Sequence, residues 1–102
     1  MTVPAVALLV KFKTRLSLEE VQHVVESRIE DFRALSALKQ KYYLRDTKTG
    51  EYAGLYLWES REGLAEYRAS ELSKTIAKAY ETEGDPRIEA YDVLLPLRDT
   101  GD

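Results

Sequence analysis

The segment near the start of the chain alternates with a period of two and is apolar on both faces, which restricts the folds open to it. Alternation of this kind, rich in β-branched residues, predicts a β-strand. A strand that is apolar on both faces has to be covered on both sides. Helices can cover one side, and the other side needs a further partner. One face carries Val6, Leu8, Val10 and Phe12, and the other carries Ala5, Ala7, Leu9, Lys11 and Lys13.

The chain is short, and its composition excludes several classes of protein. Its 102 residues predict one domain over 1–102 with a thin core, which pairing with a second copy would enlarge. There is no cysteine, no asparagine and one histidine, so we expect no disulfide framework and no metal site. The net charge of −3 argues against a nucleic-acid partner. The apolar run 3–10 is too short for a membrane span and lacks the preceding basic residues of a secretory signal, so we expect a cytoplasmic protein.

A capping box introduces the first predicted helix, over residues 18–35. Ser17 is the N-cap, and Glu20 stands three residues later. His23 falls opposite the apolar stripe, toward water, whereas Arg28 falls inside the stripe. The stripe consists of Val21, Val24, Val25, Ile29 and Phe32.

A β-hairpin is predicted next. Strands over 39–45 and 52–58 flank the polar turn 46–50. Gly54, inside the second of these strands, indicates a bulge or a close approach of the backbone.

Ser60 caps a second predicted helix, over residues 61–81, and a last strand follows over 87–95. A Gly-Asp-Pro break at 84–86 separates the two. Residues 99–102 are expected to form a loose tail. The apolar stripe of the second helix consists of Leu64, Ala65, Leu72, Ile76 and Ala79.

The resulting order, β-α-β-β-α-β, is that of an α+β ferredoxin-like fold with a four-stranded antiparallel sheet. In this fold both helices cover one face of the sheet and leave the other face bare. The second apolar face of the first strand then needs a partner, and the same face of another subunit is the simplest one. We therefore predict a homodimer joined through the open sheet face.

Residues 54–67 (GLYLWESREGLAEY) resemble the strand-to-helix junction of the dimeric α/β-barrel superfamily, which includes antibiotic-biosynthesis mono-oxygenases. Within it the chain is most similar to the YdhR family. That family shares a glycine-containing third strand that ends in an aromatic residue, a lysine where this chain has Lys41, and a tyrosine near Tyr67. Its last strand resembles Tyr91-Asp92-Val93 followed by Pro96-Leu97.

This resemblance implies a dimeric α/β barrel with a pocket between the helices and the sheet of each subunit. It also implies cofactor-independent mono-oxygenation of a small aromatic or polyketide-like compound. Two departures from the related sequences narrow the range of activities that the resemblance implies. The YdhR family has His, Thr and Arg where this chain has Glu71, Leu72 and Lys74. Relatives that degrade haem use an asparagine on the first strand and a late histidine, and this chain has no asparagine and Ala77 near the histidine position.

Arg28 and Lys41 are the candidate catalytic residues. Arg28 points inward from the first helix, and with Arg68 of the second helix it could hold an anionic or phenolate ligand. The alternative is that each arginine packs its stem and pairs at the surface with a carboxylate such as Glu26 or Glu71. Lys41 could activate a substrate if burial lowered its pKa, and Arg28 or Lys41 could stabilise the deprotonated substrate; a solvated strand lysine is the ordinary alternative.

Four aromatic residues are candidate substrate-binding residues: Tyr43, Tyr56, Trp58 and Tyr67. An aromatic-lined pocket with a few polar tips suits a planar organic ligand. The alternative is that these rings fill a small core or a dimer interface. Two other functions also stay open, a non-catalytic dimer that binds a small ligand and an isomerase, cyclase or dehydratase on the same scaffold.

Overall fold

The computed structural model describes residues 4–98 and confirms the predicted order of elements, except that three short helices replace the second helix. The predicted tail 99–102 lies outside the described residues. The strands are β1 (Val6–Phe12), β2 (Leu38–Arg45), β3 (Tyr52–Trp58) and β4 (Arg87–Asp92). The helices are α1 (Leu18–Arg33), α2 (Arg61–Arg68), α3 (Glu71–Lys74) and α4 (Ile76–Ala79).

The four strands form one antiparallel sheet in the order β2-β3-β1-β4, which is the α+β ferredoxin-like arrangement. The core lies between the helices and one face of this sheet, and the inward residues of β1 and β3 fill its centre. Leu8 and Trp58 are each 1% exposed. Among the described residues, no helix combines the length and the apolar character that crossing a membrane requires.

The capping box of α1 is confirmed. The Ser17 hydroxyl accepts a hydrogen bond from the Glu20 amide at 3.1 Å, and the Glu20 carboxylate accepts one from the Ser17 amide at 2.8 Å. The helix ends at Arg33, two residues before the predicted end. The Leu35 amide already donates to the carbonyl of Phe32 at 3.1 Å, three residues back, so the last turn tightens there.

The prediction of one helix over residues 61–81 is wrong, because side-chain hydroxyls interrupt it. The Ser70 hydroxyl donates to the carbonyl of Tyr67 at 2.5 Å, and Ser70 caps α3. The Thr75 hydroxyl donates to the carbonyl of Glu71 at 2.7 Å, where α3 ends. Such bonds compete with the helical pattern of the backbone and favour breaks and caps.

Two further predictions for the second half of the chain need correction. β4 ends at Asp92 rather than at residue 95. Only the Val93 amide continues the ladder, to the carbonyl of Ala5 at 2.9 Å, and Leu94 is 91% exposed. Ala65, predicted to belong to the apolar stripe, is exposed at the surface of α2.

The opposite face of the sheet has no helix against it among the described residues. Alternation along the strands places the half-buried Ala7, Leu9, Leu55 and Leu57 on this face. Tyr42, Leu44 and Tyr91 lie on the same face and are largely exposed. We call this surface the open face.

Candidate functional site

Lys41 extends from β2 toward the helices and ends among three aromatic rings. Its Nζ lies 3.4 Å from the ring centroid of Phe32, 4.4 Å from that of Tyr56 and 4.5 Å from that of Tyr43. We call these three rings the aromatic cage. No carboxylate oxygen among residues 4–98 lies within 4.0 Å of this Nζ. The predicted alternative of a solvated strand lysine does not describe this side chain.

Two opposing effects act on the Lys41 amine. Burial, followed by the positive charge of Arg28, lowers its pKa to about 7. The ring faces attract the protonated form, by about 0.5–2 kcal/mol in cation–π contacts of this kind. Loss of hydration is the larger effect because the rings replace water without offering a carboxylate. Lys41 is thus able to exchange a proton near neutral pH.

Gly54 provides the space that the cage requires. A Cβ at this position would lie 2.9 Å from Cε1 of Tyr56 and 3.3 Å from Cε of Lys41. Side chains therefore make the close approach at Gly54, whereas the sequence indicates a close approach of the backbone or a bulge. The bulge lies elsewhere, since the shift in register between β2 and β3 falls between Leu38 and Gln40.

Lys41 stands between two spaces of different size. The first, which we call the inner cavity, has a volume of about 40 Å³ and lies below the cage. Its walls include Val10, Phe12, Val21, Lys41, Tyr43 and Tyr56. The second, which we call the outer groove, has a volume of about 320 Å³ and lies between α1 and β2. Its walls include Ile29, Phe32, Arg33, Leu38, Lys41 and Tyr43.

Trp58 and Tyr67 pack behind Tyr56 and line neither of these two spaces. The ring centroids of Trp58 and Tyr67 are 5.1 Å apart, and the Tyr67 hydroxyl donates to that of Tyr56 across 3.4 Å. Burial, with a further contribution from Tyr67, raises the pKa of Tyr56 well above its usual range. Burial also raises the pKa of Tyr67. Both phenols stay protonated at neutral pH, so they are hydrogen-bond donors rather than bases.

Arg28 is held by the backbone of the short helices. Its Nη2 donates to the carbonyl of Leu72 at 2.6 Å and its Nη1 to the hydroxyl of Thr75 at 3.2 Å. The predicted surface alternative, a pair with Glu26 or Glu71, does not form among the described residues. Arg28 instead ties α1 to the junction of α3 and α4, and its charge acts on Lys41.

Arg68 lies apart from this cluster. It is exposed and lines a separate groove of about 150 Å³ beside Ile88 of β4. The structure therefore brings Lys41, Tyr43 and Tyr56 together, with Arg28 behind them. Trp58 and Tyr67 support the ring of Tyr56 from the core side.

Sequence reasoning missed Phe32 and Gly54 as parts of this site. The apolar periodicity predicts Phe32 as a core residue only. Phe32 stands four residues after Arg28, on the same face of α1, and this spacing is the signal that links it to the site. For Gly54 the sequence indicates only a feature of the backbone. Its pairing with Tyr43 across the predicted hairpin is the signal that could have placed it beside the cage. No group of three or more His, Asp or Glu side chains within residues 4–98 is arranged to hold a metal ion.

Neither a protein-family model nor a curated protein matches the chain, but solved structures do. SnoaB of Streptomyces nogalater, a cofactor-independent oxygenase, is 13% identical with a TM-score of 0.74, over 95% of this chain and 100% of SnoaB. NE2512 of Nitrosomonas europaea, a protein of unknown function, is 13% identical with a TM-score of 0.76, over 99% of this chain and 100% of its own.

A third structure, a "putative antibiotic biosynthesis monooxygenase" of Caulobacter crescentus CB15, is 18% identical with a TM-score of 0.73. The match spans 90% of this chain and 92% of that one. At such identities the comparison establishes the fold, which is that of proteins resembling antibiotic-biosynthesis monooxygenases. The same fold carries unrelated activities in general, so the chemistry has to be argued from the site.

Proposed function

We propose that this protein is a cofactor-independent mono-oxygenase of the YdhR type that acts on a small aromatic or polyketide-like compound. The observation that carries the proposal is the Lys41 amine, held in the aromatic cage between the inner cavity and the outer groove. SnoaB, which has the same fold, is a cofactor-independent oxygenase. We propose that the whole chain, 1–102, forms one domain and that two copies pair through their open faces.

Lys41 acts as the base in this proposal. Its neutral amine removes a proton from an activated CH₂ group of the substrate, such as the one between the rings of an anthrone. The resulting carbanion gives its electrons to O₂ and forms a peroxide, which takes the proton back from the ammonium. Loss of the second C–H proton expels water and leaves a carbonyl group. One oxygen atom ends in the product and the other in water, so the substrate supplies all the electrons.

The two spaces beside Lys41 suit the two reactants. A planar substrate fits the outer groove, whose volume of about 320 Å³ is that of a small ligand site, against the exposed ring of Tyr43. The inner cavity, at about 40 Å³, is far smaller than the roughly 150 Å³ that holds a benzene ring. It has room for a diatomic molecule, and its walls are mostly apolar, which favours O₂ over water.

Oxygen uptake tests the proposal directly. A panel of anthrones and quinols is incubated with the protein in air, and dissolved O₂ is followed with an electrode. We expect uptake with at least one anthrone, and a loss of about 100-fold or more in Lys41→Met, as for removal of a general base. Lys13→Met is the matched control, since Lys13 is exposed at the end of β1.

Two outcomes would contradict the proposal. One is the absence of uptake across the whole panel, and the other is unchanged uptake in a folded Lys41→Met protein. One competing function, a non-catalytic dimer that binds a small aromatic ligand, would use the same outer groove. That function predicts a higher melting temperature with the same compounds and no consumption of O₂.

A further inference from the structure

Among the lysines of the described residues, Lys41 combines partial burial with the lack of a carboxylate partner. Lys11 is bound to Asp46 at 2.5 Å, and Lys39 is bound to Glu59 at 3.1 Å. Lys13 and Lys48 are exposed, so water surrounds their ammonium groups. Lys41 is half-buried and has three aromatic rings around its Nζ.

The charged groups around Lys41 favour the amine over the ammonium. Arg28 lies close enough to act on it and carries the same sign of charge. The cage contributes the phenols of Tyr43 and Tyr56, and burial raises the pKa of both, so neither becomes an anion near neutral pH. With a pKa of about 7, Lys41 is about half neutral at pH 7, whereas an ordinary lysine is neutral in fewer than about one molecule in a thousand.

The amine is also within reach of a ligand. Lys41 lines the outer groove together with Phe32 and Tyr43, and Tyr43, which is 40% exposed, offers an aromatic surface to an aryl group. A neutral, partly desolvated lysine in the wall of a groove has the features of an amine that attacks carbonyl carbon.

We propose that Lys41 forms a reversible imine with an aromatic aldehyde or ketone bound in the outer groove. The Nζ lone pair adds to the carbonyl carbon, and a proton moves from nitrogen to oxygen to give a carbinolamine. The hydroxyl then leaves as water while the C=N bond forms. This activity goes beyond the proposed oxygenase, because it needs neither O₂ nor an acidic C–H bond.

Reductive trapping tests this activity. The protein is incubated at pH 7 under argon with salicylaldehyde and cyanoborohydride, which reduces an imine to a stable secondary amine. Tryptic peptides are then analysed by mass spectrometry. We expect labelling of Lys41 to exceed that of Lys13 and of Lys48 by about tenfold or more, because the Lys41 amine is partly neutral at this pH.

The pH dependence of labelling distinguishes an amine with a lowered pKa from one that reacts only because it is accessible. Labelling of Lys41 should level off above about pH 8, whereas labelling of an amine with the ordinary pKa of lysine would keep rising toward about pH 10. Lys41→Met should abolish the fast-labelling fraction, and Lys13→Met should retain it; circular dichroism establishes that both variants are folded.

Equal labelling of all lysines, or slower labelling of Lys41 than of Lys13, would overturn the proposal. The second result would show a lysine kept as an ammonium ion by the cage. Because the trapping excludes O₂, its result is independent of the oxygen-uptake assay, and either proposal can fail while the other holds.

Discussion

At the scale of single residues, Gly54 decides whether the aromatic cage can form. The Gly54→Ala substitution places a methyl group 2.9 Å from Cε1 of Tyr56 and 3.3 Å from Cε of Lys41. Tyr56 is 2% exposed and cannot turn aside, so the ring or the strand has to shift. We expect a loss of about 1–3 kcal/mol in the free energy of unfolding, as for other overpacked sites, measured by urea denaturation. An unchanged free energy would mean that the Tyr56 ring and the Lys41 stem both move away without cost.

Lys41 itself gives a prediction about pH. Its pKa is about 7 in the folded protein and 10.5 when unperturbed, as in the unfolded chain. Between these values the unfolded chain binds one more proton, so the contribution of Lys41 to stability rises with pH across that window. The buried ammonium costs most at pH 7 and below, and nothing above about pH 10.5.

The Lys41→Met substitution removes this cost while keeping a long flexible side chain. We expect it to raise the free energy of unfolding at pH 6–7 by an amount on the order of a few kcal/mol. The difference from the wild-type protein should shrink as the pH rises toward 10. Urea denaturation of both proteins across this range measures it. A difference that is independent of pH would show that Lys41 titrates normally.

At the scale of secondary-structure elements, the sequence predicts those features that depend only on residues close together in the chain. The capping box of α1 depends on Ser17 and Glu20 alone, and the first strand depends on its alternation, so both follow from the sequence. The break at Ser70 depends on the hydrogen bond from its hydroxyl to the carbonyl of Tyr67, which competes with the helical backbone pattern. The periodicity of apolar residues does not reveal such a bond. The cage joins α1, β2 and β3: the register of the hairpin sets Tyr56 opposite Lys41, and the packing of α1 against the sheet adds Phe32.

The packing of α2 gives a second test at this scale. A Cβ at Gly63 would lie 2.3 Å from the Cβ of Ala37, in the connection between α1 and β2. Helix propensity alone predicts that Gly63→Ala stabilises by about 1 kcal/mol. The contact with Ala37 predicts the reverse, a net loss of about 1–3 kcal/mol in the free energy of unfolding. Urea denaturation measures this loss.

A double-mutant cycle identifies the cause of that loss. Ala37→Gly removes the atom that a new methyl group at Gly63 would meet. The two substitutions together should therefore cost less than the sum of their separate effects, by about 0.5 kcal/mol or more. Additive costs would place the strain elsewhere in α2.

At the scale of the whole molecule, the first strand links the sequence to the proposed assembly. Its inward residues are buried by the helices, as the alternation predicts. Its other face, with Ala7 and Leu9, joins Leu55 and Leu57 in an apolar surface on the open face. Lys11 lies toward one end of this strand, where it pairs with Asp46 at 2.5 Å. An apolar centre with charged groups at its margin is typical of an interface between subunits.

The proposed dimer can be tested at the centre of that surface. Leu55 lies opposite Leu9 on the open face, and Leu55→Arg would bring two guanidinium groups and their hydration into a sheet-to-sheet interface. We expect the wild-type protein to be a dimer at micromolar concentration by light scattering and Leu55→Arg to be a folded monomer. Glu66→Arg, on the exposed side of α2, changes charge away from this face and should remain dimeric. A wild-type monomer, or a dimer that survives Leu55→Arg, would exclude pairing through the open face, and the exposed Tyr42, Leu44 and Tyr91 there would then need another partner.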